Sequence, residues 1–273
     1  MQHRNITFIG AGNMAGAIIA GLVSSGYPAD KITVCAPSTK NRDALKEKYG
    51  TRSSGDNIAS AQEAEVVVLA VKPQLMADVC SELQQQIDFS SKLVLSIAAG
   101  VSIERFYALL GDNLKIVRIM PNTPSLVGKG MSGLFAPQQV SQQDRDFSSE
   151  LMTAVGKVCW VETEAGINQV IAAAGSAPAY FFLFMEAMQQ EAQRQGLSAE
   201  NARLLVQQAA SGAAALVEAN PETPLSTLRE NVTSKGGTTF AALNVFNERD
   251  LTAIVAEAMQ AAVARAQEME KQF

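Results

Sequence analysis

The chain has 273 residues, 47% of them hydrophobic and 18% charged, enough apolar mass for one large or two medium cores. Its 22 Lys and Arg stand against 27 Asp and Glu, a net charge of −5 and an isoelectric point near 5.1, which argues against a phosphate-reading nucleic-acid surface. The one histidine, His3, lies at the N-terminus, and Cys35, Cys80 and Cys159 are odd in number and far apart. That pattern excludes Ser-His-Asp chemistry, a His-rich or CxxC metal site and a disulfide framework.

The opening residues run straight into a strand without an apolar leader pattern, so a cytoplasmic protein is expected. Residues 5–10 (NITFIG) read as a strand, 14–23 as a helix, 32–36 (ITVCA) as a strand closed by Pro37, and 42–49 as a polar helix. Residues 65–71 (EVVVLAV) are apolar and β-branched with no polar alternation, the pattern of a parallel strand covered on both faces. A helix over 75–87, strands over 93–97, 115–120 and 157–161, and helices near 103–110 and 142–154 continue the alternation. This order predicts an α/β fold with a doubly wound, Rossmann-type sheet.

Near residue 161 the pattern changes to helices alone, over 167–195, 199–219 and 251–270, the last with Asp250 as its N-cap. Two domains are expected, residues 1–161 and an all-helical 162–273. The stretch Val170 to Met188 is long and apolar enough to raise the question of a membrane. Gly175, Pro178 and Glu186 within it, and the lack of flanking basic residues, favour a buried core helix instead. Small residues on the later helices (Ala209, Ala210, Gly212, Ala258, Ala262) allow close helix approach. The apolar stripes there exceed what a monomer buries easily, which predicts at least a homodimer.

Gly10-Ala11-Gly12-Asn13-Met14-Ala15 matches G-x-G-x-x-G/A, follows the first strand and opens a helix, the context a dinucleotide-binding turn requires. The second strand ends in Ala36-Pro37-Ser38-Thr39-Lys40-Asn41-Arg42 with no acid to bind ribose hydroxyls. Hydroxyls with Lys40 and Arg42 suit a 2′-phosphate, so NADPH is expected over NADH. Two more loops fall at the carboxyl ends of strands, Ala70-Val71-Lys72-Pro73-Gln74 and Ile97-Ala98-Ala99-Gly100. The small residues of the second suggest a backbone close to the nicotinamide ribose. Met120-Pro121-Asn122-Thr123-Pro124 is a rigid turn after another strand, suited to shaping a site. Among the helices, Gly175-Ser176 lie in a kinked apolar stretch, and residues 231–239 (NVTSKGGTT) place adjacent glycines and hydroxyls at a helix start. The second turn suits a carboxylate, though an ordinary helix cap would look similar, and because both segments hold more Gly, Ser and Thr than capping needs, Gly175 and Ser176 are expected to bind substrate along with the 231–239 turn.

Taken together, GAGNMAGAI at the start, AVKPQ at 70–74, SIAAGVSI at 96–103, RIMPNTP at 118–124, GSAPAYFF at 175–182 and VTSKGGTT at 232–239 resemble the pyrroline-5-carboxylate reductase family along nearly the whole chain. The last segment is its most specific mark. The chain departs from the family at Ala177, where glycine is usual, and at Lys235, where proline is usual. The resemblance implies reduction of the cyclic imine L-1-pyrroline-5-carboxylate to L-proline by NAD(P)H. It also implies a Rossmann domain followed by a helical dimerisation domain, with dimers assembling into rings. By motif it assigns cofactor contacts to Ile9, Gly10, Gly12, Asn13, Met14, Ala36, Asn57, Ala70, Lys72, Pro73, Ala98 and Asn231. Substrate contacts fall on Ser234, Gly237, Thr238 and Thr239, with Glu164 and Glu222 beside them.

The residue inventory agrees with that chemistry. An alcohol dehydrogenase needs a base for the hydroxyl proton, whereas an imine is itself basic and arrives able to carry its proton. A pocket without histidine need only hold the carboxylate, place the carbon and offer nitrogen a hydrogen bond. Thr239, behind Gly236-Gly237-Thr238 at a helix start, is the expected donor of that bond. A β-hydroxyacid dehydrogenase shares the domain plan but needs a Lys on the first helix of the second domain, and residues 166–194 contain none. A non-catalytic NADP-binding sensor would have no use for the 232–239 turn.

Overall fold

The computed structural model describes residues 2–273. Eight strands form one sheet: β1 (Ile6–Ile9), β2 (Ile32–Cys35), β3 (Arg52–Ser54), β4 (Val66–Leu69), β5 (Leu93–Ser96), β6 (Lys115–Met120), β7 (Gly130–Phe135) and β8 (Gly156–Trp160). Their spatial order is β3-β2-β1-β4-β5-β6-β7-β8. The first six are parallel in the doubly wound order, with the reversal between β1 and β4. β7 runs antiparallel to β6, and β8 is parallel to β7.

Six helices flank these strands: α1 (Asn13–Ser24), α2 (Thr39–Tyr49), α3 (Asn57–Glu63), α4 (Met76–Gln84), α5 (Ile103–Leu110) and α6 (Gln142–Thr153). The central strands are apolar throughout because they are covered twice. Val66 and Val68 join Phe8, Ile18, Ile19 and Leu22 in one core, and Val67 and Leu69 join Met76, Leu83, Phe106 and Leu110 in the other. The sequence does not announce β3, α3 or β7. Arg52-Ser53-Ser54 lacks β-branched residues, and β7 carries two glycines, so both depend on pairing with a neighbour already in place.

The helices that follow are α7 (Gly166–Val170), α8 (Ala177–Arg194), α9 (Ala199–Ala219), α10 (Leu225–Asn231), α11 (Thr238–Glu248) and α12 (Leu251–Gln272). Between α7 and α8 the helix widens into a π turn over Ile171–Gly175. Asp250 accepts the Ala253 N–H at 3.2 Å, capping α12 as its sequence position suggested.

By compactness the chain divides into two units, one of residues up to Ser176 together with Ala261–Phe273, the other Ala177–Gln260. This division falls later than the sequence change at residue 161, because α7 and the π turn pack on β6 and β7. In the second unit α8 lies along α9, and Phe184 meets Phe246 with ring centroids 5.8 Å apart. One expectation is overturned there. The apolar stretch to Met188 is not a buried core helix: Phe181, Phe182 and Leu183 are 69%, 65% and 68% exposed. Residues 166–194 are long and apolar enough to cross a membrane, with a mean hydropathy of 1.4 over an 18-residue window. Within the second unit α8 packs along α9 and meets α11 at Phe184, while Phe181, Phe182 and Leu183 are left uncovered.

Candidate active site

In the first unit the candidate cofactor residues gather at the carboxyl edge of the sheet. β1, β2, β4 and β5 finish level with one another at Ile9, Cys35, Leu69 and Ser96. Backbone bonds carry the register one step further: Gly10 N–H donates to Cys35 O at 2.8 Å, Ala70 N–H to Ile9 O at 2.8 Å, and Ile97 N–H to Leu69 O at 3.1 Å. Gly10, Ala36, Ala70 with Val71, and Ile97 with Ala98 and Ala99 therefore share one rim, beside the topological reversal where ligands bind in such sheets. Asn57 opens α3 just past the end of β3, and Lys72 and Pro73 start a short 3-10 turn after β4.

The two glycines of the first turn do different work. Gly10 has φ +115°, and a Cβ there would lie 2.5 Å from the Ala70 carbonyl oxygen, so the turn cannot form with a side chain. Gly12 has an ordinary φ of −77°, yet a Cβ on it would meet nothing within 4 Å. It faces open space at the head of α1, which has neither a side-chain cap nor an acid in its first turn. The N–H groups of Asn13 and Met14 and the positive end of the helix are thus free to meet an anion, and a pyrophosphate fits the cradle.

After β2, Ser38 and Lys40 are exposed. Arg42, expected beside them, turns inward instead: its side chain is 16% exposed and its Nη1 donates to the Ala36 carbonyl at 2.6 Å. It braces the strand end and leaves Lys40 as the cation facing solvent. Gly100 also departs from expectation. With φ +74° it faces the last turns of α12, where a Cβ would lie 2.8 Å from Met269 Cβ, so its small size answers a helix and not a nicotinamide ribose.

Glu164 is engaged within the first unit. Its Oε1 accepts the Ile103 N–H at the start of α5 and an Arg118 Nη1–H, both at 2.7 Å. Arg118, 1% exposed, also pairs with Glu270 at 2.7 Å, and Asn168 donates to Glu270 at 3.1 Å. This network was not legible in the sequence, because a lone Arg in a strand gives no sign of carboxylates 46 and 152 positions away. Burial pushes the Cys80 thiol up to about 12 and raises that of Cys35, so neither supplies a thiolate. Among the described residues no cluster of His, Cys, Asp and Glu is placed to hold a metal.

In the second unit Asn231 ends α10, and the 232–239 segment turns tightly into α11. Gly236 is left-handed at φ +73°, and Gly237 N–H returns to Ser234 O at 3.0 Å. Gly237 is the N-cap of α11, with no side-chain cap of its own, and Thr238 and Thr239 form the first turn. Ser234, Thr238 and Thr239 are exposed, and Gly237 is half-buried. Glu222 is exposed between α9 and α10, and Gly175 and Ser176 are half-buried at the end of the π turn in the first unit.

Residues 164–269 match a family model described as pyrroline-5-carboxylate reductase dimerisation, and residues 5–100 one described as NADP oxidoreductase, coenzyme F420-dependent. A pyrroline-5-carboxylate reductase of Vibrio alginolyticus is 66% identical over 273 residues, covering all of both chains. Among solved structures, a pyrroline-5-carboxylate reductase from Coxiella burnetii is 43% identical with a TM-score of 0.93, covering 98% of this chain and 99% of that one. A pyrroline carboxylate reductase of Plasmodium falciparum, with NADP bound, is 27% identical with a TM-score of 0.87, covering 99% of each. With its Rossmann-type sheet, its phosphate-binding turn and these full-length relatives, the chain belongs to the pyrroline-5-carboxylate reductase family.

Proposed function

We propose which residues carry the family's reaction in this chain, the reduction of the imine of L-1-pyrroline-5-carboxylate to L-proline. In this reading residues 1–161 hold NADPH, with NADH a weaker alternative, and residues 162–273 hold the substrate and join copies of the chain. The cofactor, when bound, supplies a hydride. The Gly10–Met14 turn would hold its pyrophosphate, Ala36, Ala70, Val71 and Ala98 would hold its sugar and ring, and Ser38 with Lys40 would hold the 2′-phosphate.

The observation that carries the substrate assignment is the turn into α11. Its first-turn N–H groups, at Thr238 and Thr239, lack intrahelical acceptors and suit the substrate carboxylate. The Thr239 hydroxyl, in the same turn, hydrogen-bonds the imine nitrogen: its oxygen would accept from the N–H of the imine arriving protonated and so steady that proton, which stays on nitrogen as the carbon is reduced. Ser234 lines the turn, Glu222 is a further substrate contact, and Asn231, which ends α10, is a cofactor contact. Glu164 is a further substrate-side residue, its carboxylate already shared with the Ile103 N–H and Arg118. The uncovered face of α8, together with the dimerisation match, supports self-association, read here as a homodimer or a higher ring whose second copy covers these apolar residues; in the same reading the protein is cytoplasmic, without a lipid or nucleic-acid partner.

Thr239→Ala tests the assignment. Turnover, followed by the fall in NADPH absorbance with pyrroline-5-carboxylate, should drop by about one to two orders of magnitude, with NADPH affinity unchanged. A folded variant that turns over normally and loses only about 1 kcal/mol of stability would reduce Thr239 to a helix-start residue.

A further inference from the structure

The turn Met120-Pro121-Asn122-Thr123-Pro124 has no part in the scheme above, yet it follows the carboxyl end of β6, on the same edge of the sheet as the dinucleotide turn. β6 is level with β5 at Arg118, opposite Ser96, and runs on to Met120. Asn122 is therefore beyond the carboxyl ends of the parallel strands. Its side chain is buried, and both ends of its amide are engaged. Oδ1 accepts the Met131 N–H at 2.8 Å, and Nδ2 donates to the Ala174 carbonyl at 3.0 Å, 52 residues away.

Ala174 is in the π turn, and its carbonyl lacks an ordinary partner for a simple reason. An α-helix would pair it with the N–H of residue 178, and Pro178 has none. The Asn122 amide supplies the missing donor. The turn itself is closed by the Ser176 N–H, which donates to Ile171 O at 2.8 Å across five residues. Such turns are rare and gather at functional sites, since they cost regular hydrogen bonding. What this one presents is Ser176, half-buried, with a hydroxyl that has no hydrogen-bond partner among the described residues.

We propose that Asn122 is a positioning residue for the imine substrate: it pins the π turn to the sheet edge and so fixes the Ser176 hydroxyl, which hydrogen-bonds the substrate. This rests on the imine-reductase reading. Three variants test it, with KM for pyrroline-5-carboxylate, KM for NADPH, kcat and Tm measured for each. Ser176→Ala removes only the hydroxyl and should raise the imine KM about fivefold to tenfold, the scale of one hydrogen bond, with the NADPH KM and Tm unchanged. Asn122→Asp keeps the acceptor for Met131 but sets an anionic oxygen against the Ala174 carbonyl, and it should raise the imine KM at least as much. Because both act through one contact, the double variant should be no worse than the larger single.

Additive losses in the double variant would overturn the proposal. So would an Asn122→Asp protein that binds both substrates equally badly as its Tm falls. If Asn122→Asp does not fold, Ser176→Ala decides alone, and an unchanged imine KM in that variant overturns the proposal. The imine-reductase reading fails on a different result, a wild-type protein that does not oxidise NADPH with pyrroline-5-carboxylate.

Discussion

The two compact units treat apolar surface in opposite ways. In the first, strands such as β4 are buried at every position, and two cores fill the two faces of the sheet. In the second, Ala202 and Val206 are the buried residues, while Phe181, Leu183, Leu204 and Ile254 stand open. Both are rich in hydrophobic residues, so composition does not separate them. The difference lies in geometry. A doubly wound sheet encloses its own core, whereas a few helices side by side have two broad faces and need another surface to cover them. The first unit buries its apolar surface within itself, and the second leaves much of its own uncovered.

The sharpest way to break this comparison is to attack the most buried charge of the self-contained unit. Arg118→Ala would strand Glu164 and Glu270, whose side chains are 29% and 21% exposed. It should cost about 3 kcal/mol, the low end for breaking a buried pair because water reaches both carboxylates, and urea unfolding would show it. A loss below about 1 kcal/mol would mean that the network contributes little to holding β6, α5 and the end of α12 together. The matching test on the other unit is Phe181→Asp with Leu183→Asp. Helical content should persist while the dissociation constant of the assembly rises by about two orders of magnitude or more, read by light scattering over a dilution series. Unaltered mass at micromolar concentration would place the interface elsewhere.

The glycines of the phosphate-binding turn sharpen the comparison inside the first unit. Gly10→Ala meets the Ala70 carbonyl and a left-handed backbone, so it should lower stability by about 1–3 kcal/mol along with cofactor binding. Gly12→Ala points into open space and should leave the melting temperature within a degree or two, while weakening NADPH about tenfold or more. Equal stability losses would show that Gly12 is needed by the fold and not by a ligand. The smallest effect is expected at Lys40. Lys40→Ala should weaken NADPH about fivefold and leave NADH unchanged, the scale of one exposed charge pair. Equal loss for both cofactors would leave Lys40 as a solvated residue.

Much of the candidate site was legible because backbone chemistry marks it locally. Gly10 and Gly12 between a strand and a helix, and Gly236-Gly237 before Thr238-Thr239, are needed where the chain turns tightly and leaves N–H groups free, and that need is written in adjacent residues. The partners of Arg42, Arg118 and Glu164 were not legible. Each is a charged side chain that would look the same in sequence if it faced water, and only folding shows that Arg42 reaches back to Ala36 and that Glu164 meets Ile103 and Arg118.

The sequence by itself determined the α/β-then-helical order, the central strands, the dinucleotide turn and the start of α11, since periodicity, β-branching and glycine placement act over a few residues. Tertiary structure alone decided the edge strands β3 and β7, which form only against a neighbour, and the exposure of α8, which hydrophobicity without geometry misreads as burial. It also decided the π turn, because a carbonyl deprived of its partner by Pro178 is tolerable only when a distant Asn122 is folded into place to meet it.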